Sequence, residues 1–158
     1  QVQDPIHQRG KALRKLVGEV EWEKGLSFTV VRNPFDRMVS FFHWNEFWKK
    51  NGGQQSPPED FPSWIIRNMT LRLEGRETAF NRSLLYWIDD EPLDFIGRFE
   101  NLQQDWERLL RFLESPPLPL VHTHTSQHGH YRDYYTPETR DLTARAFQED
   151  LHRFNYSF

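Results

Sequence analysis

The stretch Leu26–Ser40, which reads LSFTVVRNPFDRMVS, decides the fold because two structural periods meet in it. Leu26–Val31 is a short apolar, β-branched run, which predicts a strand buried on both faces, as in parallel sheets. Asn33 and Pro34 then favour a helix start, since Asn is a good N-cap and Pro is pre-set for the first helical position. We therefore expect a strand, a corner at Arg32 and a helix.

The predicted helix extends to about Lys50 and carries a core-facing stripe made by Phe35, Met38, Val39 and Phe42. Ser40 lies roughly opposite to that stripe, on the side of Arg37. In open α/β sheets ligands bind where strands end and helices begin, which is where Arg32 lies. Arg offers a forked, charged donor and Ser a neutral one, so Arg32 and Ser40 can share one anion such as a phosphate. The alternative is that Arg32 pairs with a local carboxylate and Ser40 is merely solvated.

The composition excludes several classes of protein. A net charge of −3 gives no electrostatic case for binding nucleic acid or an anionic membrane. The absence of cysteine excludes disulfides, zinc thiolate sites and a cysteine nucleophile. No apolar run approaches membrane-spanning length and no signal-peptide pattern is present, which predicts a soluble, cytoplasmic protein. The 158 residues are enough for one domain, predicted to span 1–158.

Further elements follow from capping signals and apolar periodicity. The sequence predicts, in chain order, a helix from Asp4 to about Gly18, a helix starting at Asp60, a short strand over Asp94–Phe99, a helix over Leu102–Leu113 and a last helix from Thr136 to about Arg153.

The segment Val31–Arg37 with Ser40 resembles the 3′-phosphate-binding segment of sulfotransferases that use 3′-phosphoadenosine 5′-phosphosulfate (PAPS). It is most similar to their carbohydrate and bacterial branch. In that family the Arg at the strand end and a Ser eight residues later hold the 3′-phosphate of the nucleotide, which implies these roles for Arg32 and Ser40. The runs Asp94–Trp106 and Asp150–Phe158 also resemble this family. In the second run Asn155 stands at the family's Gly position, and Asn readily adopts the left-handed C-cap conformation expected there.

The resemblance implies an α/β fold: a P-loop-like three-layer sandwich with a short, mostly parallel sheet flanked by helices. The family binds the 5′-phosphosulfate with a loop between an N-terminal strand and a helix. No such unit is found before Leu26, so we expect the domain to be N-terminally incomplete and to lack the first strand-loop-helix. Three explanations stay open: the loop lies upstream of this sequence, another chain supplies it, or catalysis has been lost.

His7 is predicted in the first turn of the first helix, where the helix dipole favours the neutral imidazole. Sulfotransferases commonly carry a His before the strand-Arg-Asn-Pro segment. The resemblance therefore implies that His7 is a general base for the acceptor hydroxyl. The alternative is a structural or simply exposed histidine.

The segment Val121–His130, VHTHTSQHGH, holds four of the seven histidines. His-x-His can place two imidazoles on one face of a strand, which suggests a metal site, although the run contains no carboxylate. The resemblance implies instead a late loop that covers the nucleotide. Ser126, Arg132 and the tyrosines of Tyr131–Tyr135 are then candidates for phosphate and adenine contacts, through Arg-phosphate pairing and ring stacking.

The implied function is transfer of a sulfuryl group from PAPS, leaving adenosine 3′,5′-bisphosphate, to a hydroxyl acceptor such as a carbohydrate, with no metal required. A second reading is a non-catalytic nucleotide- or partner-binding module, whose exposed sheet edge pairs with a partner or with its own copy in a homodimer. A third is a metal-binding protein that uses His122–His130.

Overall fold

The computed structural model describes residues 8–51, 59–78, 80–121 and 128–158. The chain forms two compact units. We call Gln1–Arg32 with Ser83–Val121 the sheet unit, and Asn33–Arg82 with His122–Phe158 the helical unit. The elements are, in chain order, α1 (Gly10–Val17), α2 (Glu19–Lys24), β1 (Phe28–Val31), α3 (Pro34–Lys50), α4 (Phe61–Leu73), α5 (Leu84–Ile88), β2 (Phe95–Arg98), α6 (Leu102–Phe112), α7 (Pro137–Ala146) and α8 (Gln148–Phe154).

The sheet unit is built on one parallel pair of strands. β1 and β2 pair in register, with Phe28 beside Phe95 and Val31 beside Arg98. Both predicted strands and the helix that follows β2 are confirmed, and the fold is a small α/β fold with a short parallel sheet and flanking helices. Among the described residues, no helix is long and apolar enough to span a membrane.

The predicted burial of β1 on both faces is wrong. Val31 is buried, but Phe28 is 52 % exposed and Val30 is 39 % exposed. The sheet has two strands of four residues, and the described chain leaves a large part of these two side chains open to solvent. The apolar run therefore predicted the strand correctly, while the burial that it predicted for both faces of the strand is wrong.

The first helix ends at Gly18 as predicted, but its predicted start is wrong. The helix begins at Gly10, because Arg9 is its N-cap with an extended backbone (φ −74°, ψ 155°). Asp4 itself lies outside the described residues. Gly18 has φ +92°, a left-handed conformation that glycine adopts without a Cβ penalty. The chain then begins α2, which the sequence did not predict as a separate helix. Large apolar side chains are exposed on both sides of this break: Leu16, Val17 and Val20.

The helical unit is organised around an aromatic-rich core. α3 has its predicted bounds, and Phe35, Met38 and Val39 of its stripe are fully buried. The core cluster combines residues of α3, α4 and the α7–α8 junction: Met38, Val39, Phe61, Trp64, Ile65, Met69, Ala146 and Phe147.

The predicted last helix is broken in two at Phe147, which has φ −113° and is fully buried. Leaving the helical conformation at this residue lets its ring enter the core, so tertiary packing overrides the helix-favouring sequence. The start of α7 is confirmed, because Thr136 and Thr139 form a reciprocal capping box. Asn155 takes the predicted left-handed C-cap conformation, with φ 51°.

Candidate functional site

Arg32 follows directly after β1, at the carboxyl end of the parallel sheet. Because Val31 pairs with Arg98, Arg32 and Phe99 continue the two strands beyond the same edge. The guanidinium carbon of Arg32 lies 4.2 Å from the centre of the Phe99 ring. An aromatic ring attracts a cation through its quadrupole, so Phe99 helps to hold the guanidinium at this edge. The structure therefore places the predicted cation where α/β sheets bind ligands.

The same edge of the sheet is fastened to α6 by one carboxylate. The backbone N–H of Arg98 donates to Asp105 Oδ2 at 2.7 Å, and Arg108 Nη1 donates to Asp105 Oδ1 at 2.9 Å. Asp105 is buried, and these bonds compensate the cost of burying its charge. The end of β2, and with it the Phe99 ring beneath Arg32, has a fixed position within the sheet unit.

Ser40 belongs to the helical unit and lies half-buried in the second turn of α3. Asn33 fixes where this helix starts, because its side-chain oxygen accepts a hydrogen bond from Phe35 N at 3.1 Å. The side-chain nitrogen of Asn33 donates to the Ser157 carbonyl at 2.9 Å. The predicted N-cap is confirmed, and the chain's closing segment holds it in place.

Arg37 corrects the predicted outer face of α3. The sequence placed it beside Ser40, on the side away from the core, yet it is only 7 % exposed. Its guanidinium carbon lies 5.0 Å from the Phe147 ring centre, and Nη2 donates to the Arg82 carbonyl at 2.7 Å. The kink that sends Phe147 inward covers this side of α3, which the periodicity of α3 alone could not show. Arg37 is a packing residue of the helical unit.

Arg132 lies in the 3₁₀ turn Tyr131–Tyr134 and is exposed. Its Nη2 donates to the Phe158 carbonyl at 2.9 Å, and its guanidinium carbon is 5.6 Å from the Phe158 ring centre. The Tyr135 hydroxyl donates to the Phe35 carbonyl at 3.0 Å. Burial raises the pKa of Tyr135 far above its ordinary value, so this phenol stays neutral and acts in packing.

His43 is a polar anchor that the sequence did not single out. Its Nε2 lies 3.0 Å from the Tyr134 hydroxyl, and its ring stacks on His128 with 5.3 Å between ring centres. These contacts attach the segment that carries Arg132 to α3. The only available signal was that His43 lies one turn after Ser40, which does not distinguish it from an exposed histidine.

Two of the predicted site residues, His7 and Ser126, lie outside the described residues. The same holds for most of the histidine-rich segment, residues 122–127. Within the described ranges, no group of three or more His, Asp or Glu side chains is placed to hold a metal ion.

A family model described as "Sulfotransferase family" matches residues 7–157, almost the whole chain. The chain belongs to the sulfotransferase family. The match spans every predicted site residue, from His7 to Arg132, and confirms the resemblance seen in the sequence at the level of the family. Searches of curated proteins and of solved structures found no significant match. Membership associates this sulfotransferase with transfer of a sulfuryl group from a nucleotide donor to a hydroxyl acceptor.

Proposed function

We propose that this sulfotransferase binds PAPS through its 3′-phosphate, with Arg32 and Ser40 as the donors, and transfers the sulfuryl group to a hydroxyl, with carbohydrate as the acceptor class. The observation that carries the proposal is the position of Arg32 after β1, supported on the Phe99 ring at the sheet's carboxyl edge. A planar guanidinium and a hydroxyl suit a phosphate, since one supplies charge and a fork and the other a neutral hydrogen bond.

The remaining roles follow the family pattern. Bound PAPS supplies an activated sulfuryl group whose bond to the 5′-phosphate breaks as the new bond to the acceptor oxygen forms. His7 accepts the proton of that acceptor hydroxyl, because a neutral imidazole matches general-base chemistry near neutral pH. Ser126 and Arg132 contact the nucleotide from the late segment. The exposed position of Arg132 supports this role, since its charged head reaches solvent.

The proposal is tested by binding of adenosine 3′,5′-bisphosphate, with adenosine 5′-phosphate as the matched ligand that lacks the 3′-phosphate. Ligand at 100 times its Kd stabilises the folded chain by about 2.7 kcal/mol, which a thermal shift detects. Arg32→Ala should weaken binding by about tenfold or more, and Ser40→Ala by a few-fold, because charge-assisted hydrogen bonds are the stronger class. Arg111→Ala, an exposed arginine of α6, is the control and should bind like wild type.

Two outcomes would contradict the assignment. One is an equal thermal shift with both nucleotides, which would show that the 3′-phosphate does not contribute to binding. The other is a shift with the bisphosphate that survives both Arg32→Ala and Ser40→Ala. The base assignment is tested separately: His7→Ala should abolish sulfuryl transfer while leaving the nucleotide shift unchanged.

A second candidate function is a non-catalytic module that pairs through its sheet. The exposed apolar side chains of the strands, Phe28, Val30 and Ile96, support it, because short strands with uncovered apolar faces favour pairing with another chain. Light scattering after size-exclusion chromatography should then show a homodimer that Phe28→Glu converts to monomer. A monomeric wild-type chain would exclude this pairing.

A further inference from the structure

A groove lies between α6 and the proline-rich segment that follows it in the sheet unit. The cavity in this groove has a volume of about 600 Å³, which is typical of small-molecule sites. One wall is the face of α6 that carries Gln103, Glu107 and Arg111, and the other wall is formed by residues 115–119. None of these residues has a role in the proposed nucleotide site.

Hydrogen bonds hold the two walls of the groove together. Ser115 N donates to the Leu110 carbonyl at 2.9 Å, where the chain leaves the helix. Trp106 Nε1 donates to the Leu118 carbonyl at 2.7 Å, which ties the segment back to α6. Three prolines within 116–119 fix φ at their positions and limit the backbone freedom of this wall. The groove is therefore formed before a ligand binds, which lowers the entropic cost of binding.

Part of the groove is apolar. Leu110 is buried against the helix side, and Pro117, Leu118 and Pro119 line the opposite side. Leu118 is half exposed, so apolar surface in this groove stays in contact with water. Removing such surface from water is favourable, and the groove therefore suits a ligand with an apolar side chain.

One carboxylate and one guanidinium line the same groove, one helical turn apart. Glu107 Oε1 accepts from Gln103 Nε2 at 2.8 Å, and the other carboxylate oxygen of Glu107 keeps lone pairs for a ligand. Glu followed by a basic residue four positions later is the favourable order for an ion pair. Within the described chain, however, Glu107 and Arg111 form no such pair, and the Arg111 side chain makes no hydrogen bond. A negative and a positive group are thus both available to one ligand.

We propose that this groove binds a free amino acid with an apolar side chain. The α-carboxylate of the ligand pairs with Arg111, its α-ammonium pairs with Glu107, and its side chain covers Leu110 and Leu118. A carboxylic acid without an ammonium group would place a negative charge beside Glu107, and an amine without a carboxylate would place a positive charge beside Arg111. A zwitterion complements both groups. The inference goes beyond the proposed sulfuryl transfer and does not depend on it.

The test is a titration of the ¹⁵N-labelled full chain, followed by the amide chemical shifts of residues 102–120. The probes are leucine, N-acetylleucine, leucinamide and glycine, of which the last three lack the positive charge, the negative charge and the apolar side chain, respectively. Leucine should give saturable shifts that concentrate in α6 and the segment after it. Its affinity should be at least about tenfold above that of each other probe, because it alone makes all three contacts.

Two variants assign the charges. Glu107→Gln should weaken leucine binding by about tenfold and remove the preference for leucine over N-acetylleucine. Arg111→Gln should weaken it to a similar extent and remove the preference for leucine over leucinamide. Glutamine is a good helix former, so both variants keep α6 folded. Arg108→Gln removes an arginine of the same helix that does not line the groove, and should bind leucine like wild type.

The groove and the proposed nucleotide site are tested independently. Arg32→Ala should bind leucine like wild type, and Arg111→Gln should bind adenosine 3′,5′-bisphosphate like wild type, so a failure of one site leaves the other result interpretable. Three outcomes would overturn the amino-acid site: no saturable shifts with leucine, equal affinity for leucine and any other probe, or leucine binding that survives both Glu107→Gln and Arg111→Gln.

Discussion

The sheet unit and the helical unit differ in how many of their apolar side chains are buried. The helical unit buries many rings and aliphatic side chains, from Phe35 in α3 to Phe154 in α8. In the described part of the sheet unit the buried apolar core consists of Val31, Leu109 and Leu110. The same unit leaves many large apolar side chains exposed, among them Leu16, Val17, Val20, Phe28, Val30, Ile96, Phe99 and Phe112.

The difference comes from how each unit can cover its apolar faces. In the helical unit α4 and α7 pack together and α3 lies beside both, so each helix is covered by another. Guanidinium groups complete the core, since Arg37 and Arg72 lie 5.0 and 4.8 Å from the Phe147 ring centre. The sheet unit has two short strands and one long amphipathic helix, α6, which cover little of one another. The unit with the larger buried core carries Ser40, and the unit with more exposed apolar side chains carries Arg32.

The largest expected effect comes from replacing a buried phenylalanine of the helical unit, compared with an exposed phenylalanine of the sheet unit. Phe147→Ala should lower the free energy of unfolding by about 3–5 kcal/mol, because it empties a filled core site and removes a ring that two guanidinium groups contact. Phe112→Ala is the matched control in the sheet unit, where the ring is 64 % exposed, and should change stability by less than about 0.5 kcal/mol. Urea denaturation measures both, and similar losses would contradict the contrast.

An intermediate effect is expected at the start of α7. Thr136→Ala removes the side chain that accepts the Thr139 N–H at 3.2 Å and should cost about 1 kcal/mol of unfolding free energy. Thr136→Ser keeps the hydroxyl and should lower the free energy of unfolding by only a few tenths of a kcal/mol. Chemical denaturation of the two variants side by side would sharpen the view that α7 supports the helical unit. Equal losses in the two would attribute the effect to the methyl group.

The smallest expected effect is on the pH dependence of stability, to which one carboxylate in each unit contributes. The backbone N–H of Ser63 holds the pKa of Asp60 below its usual range, and the backbone N–H of Ser27 does the same for Asp94. A pKa that is lower in the folded state stabilises the protein above about pH 4, and this contribution is lost as the pH falls towards the folded pKa. Asp60→Asn keeps a good cap and should flatten the fall in melting temperature between pH 7 and pH 3.

Asp94→Asn is the companion variant in the sheet unit. Its Oδ2 accepts from Ser27 N at 2.9 Å and from Ser27 Oγ at 2.7 Å, so it joins the starts of the two strands. The two variants should flatten the curve to a similar small extent, because both carboxylates are exposed and solvent screens them. A curve as steep in both variants as in wild type would show that neither carboxylate contributes.

Much of the fold and part of the candidate site could be predicted from the sequence, because these features depend on neighbours along the chain. The apolar run before Arg32, the Asn33-Pro34 helix start and the Asn155 C-cap are all local, and the structure shows each of them. The family assignment rests on the same kind of information, namely residue identity at fixed spacing, and the family model confirms it. The roles of Arg32 and Ser40 remain predictions that the nucleotide experiment tests.

The tertiary structure alone decided what surrounds each element. The burial of Arg37, the break of the last helix at Phe147 and the stacking of His43 on His128 depend on residues distant in sequence. Burial depends on how the elements pack together. The sequence of a strand shows that a side chain is apolar, but it does not show whether another layer covers that side chain. For this reason the stretch Leu26–Ser40 predicted the strand and the helix correctly, while only the tertiary structure shows that Phe28 and Val30 are exposed.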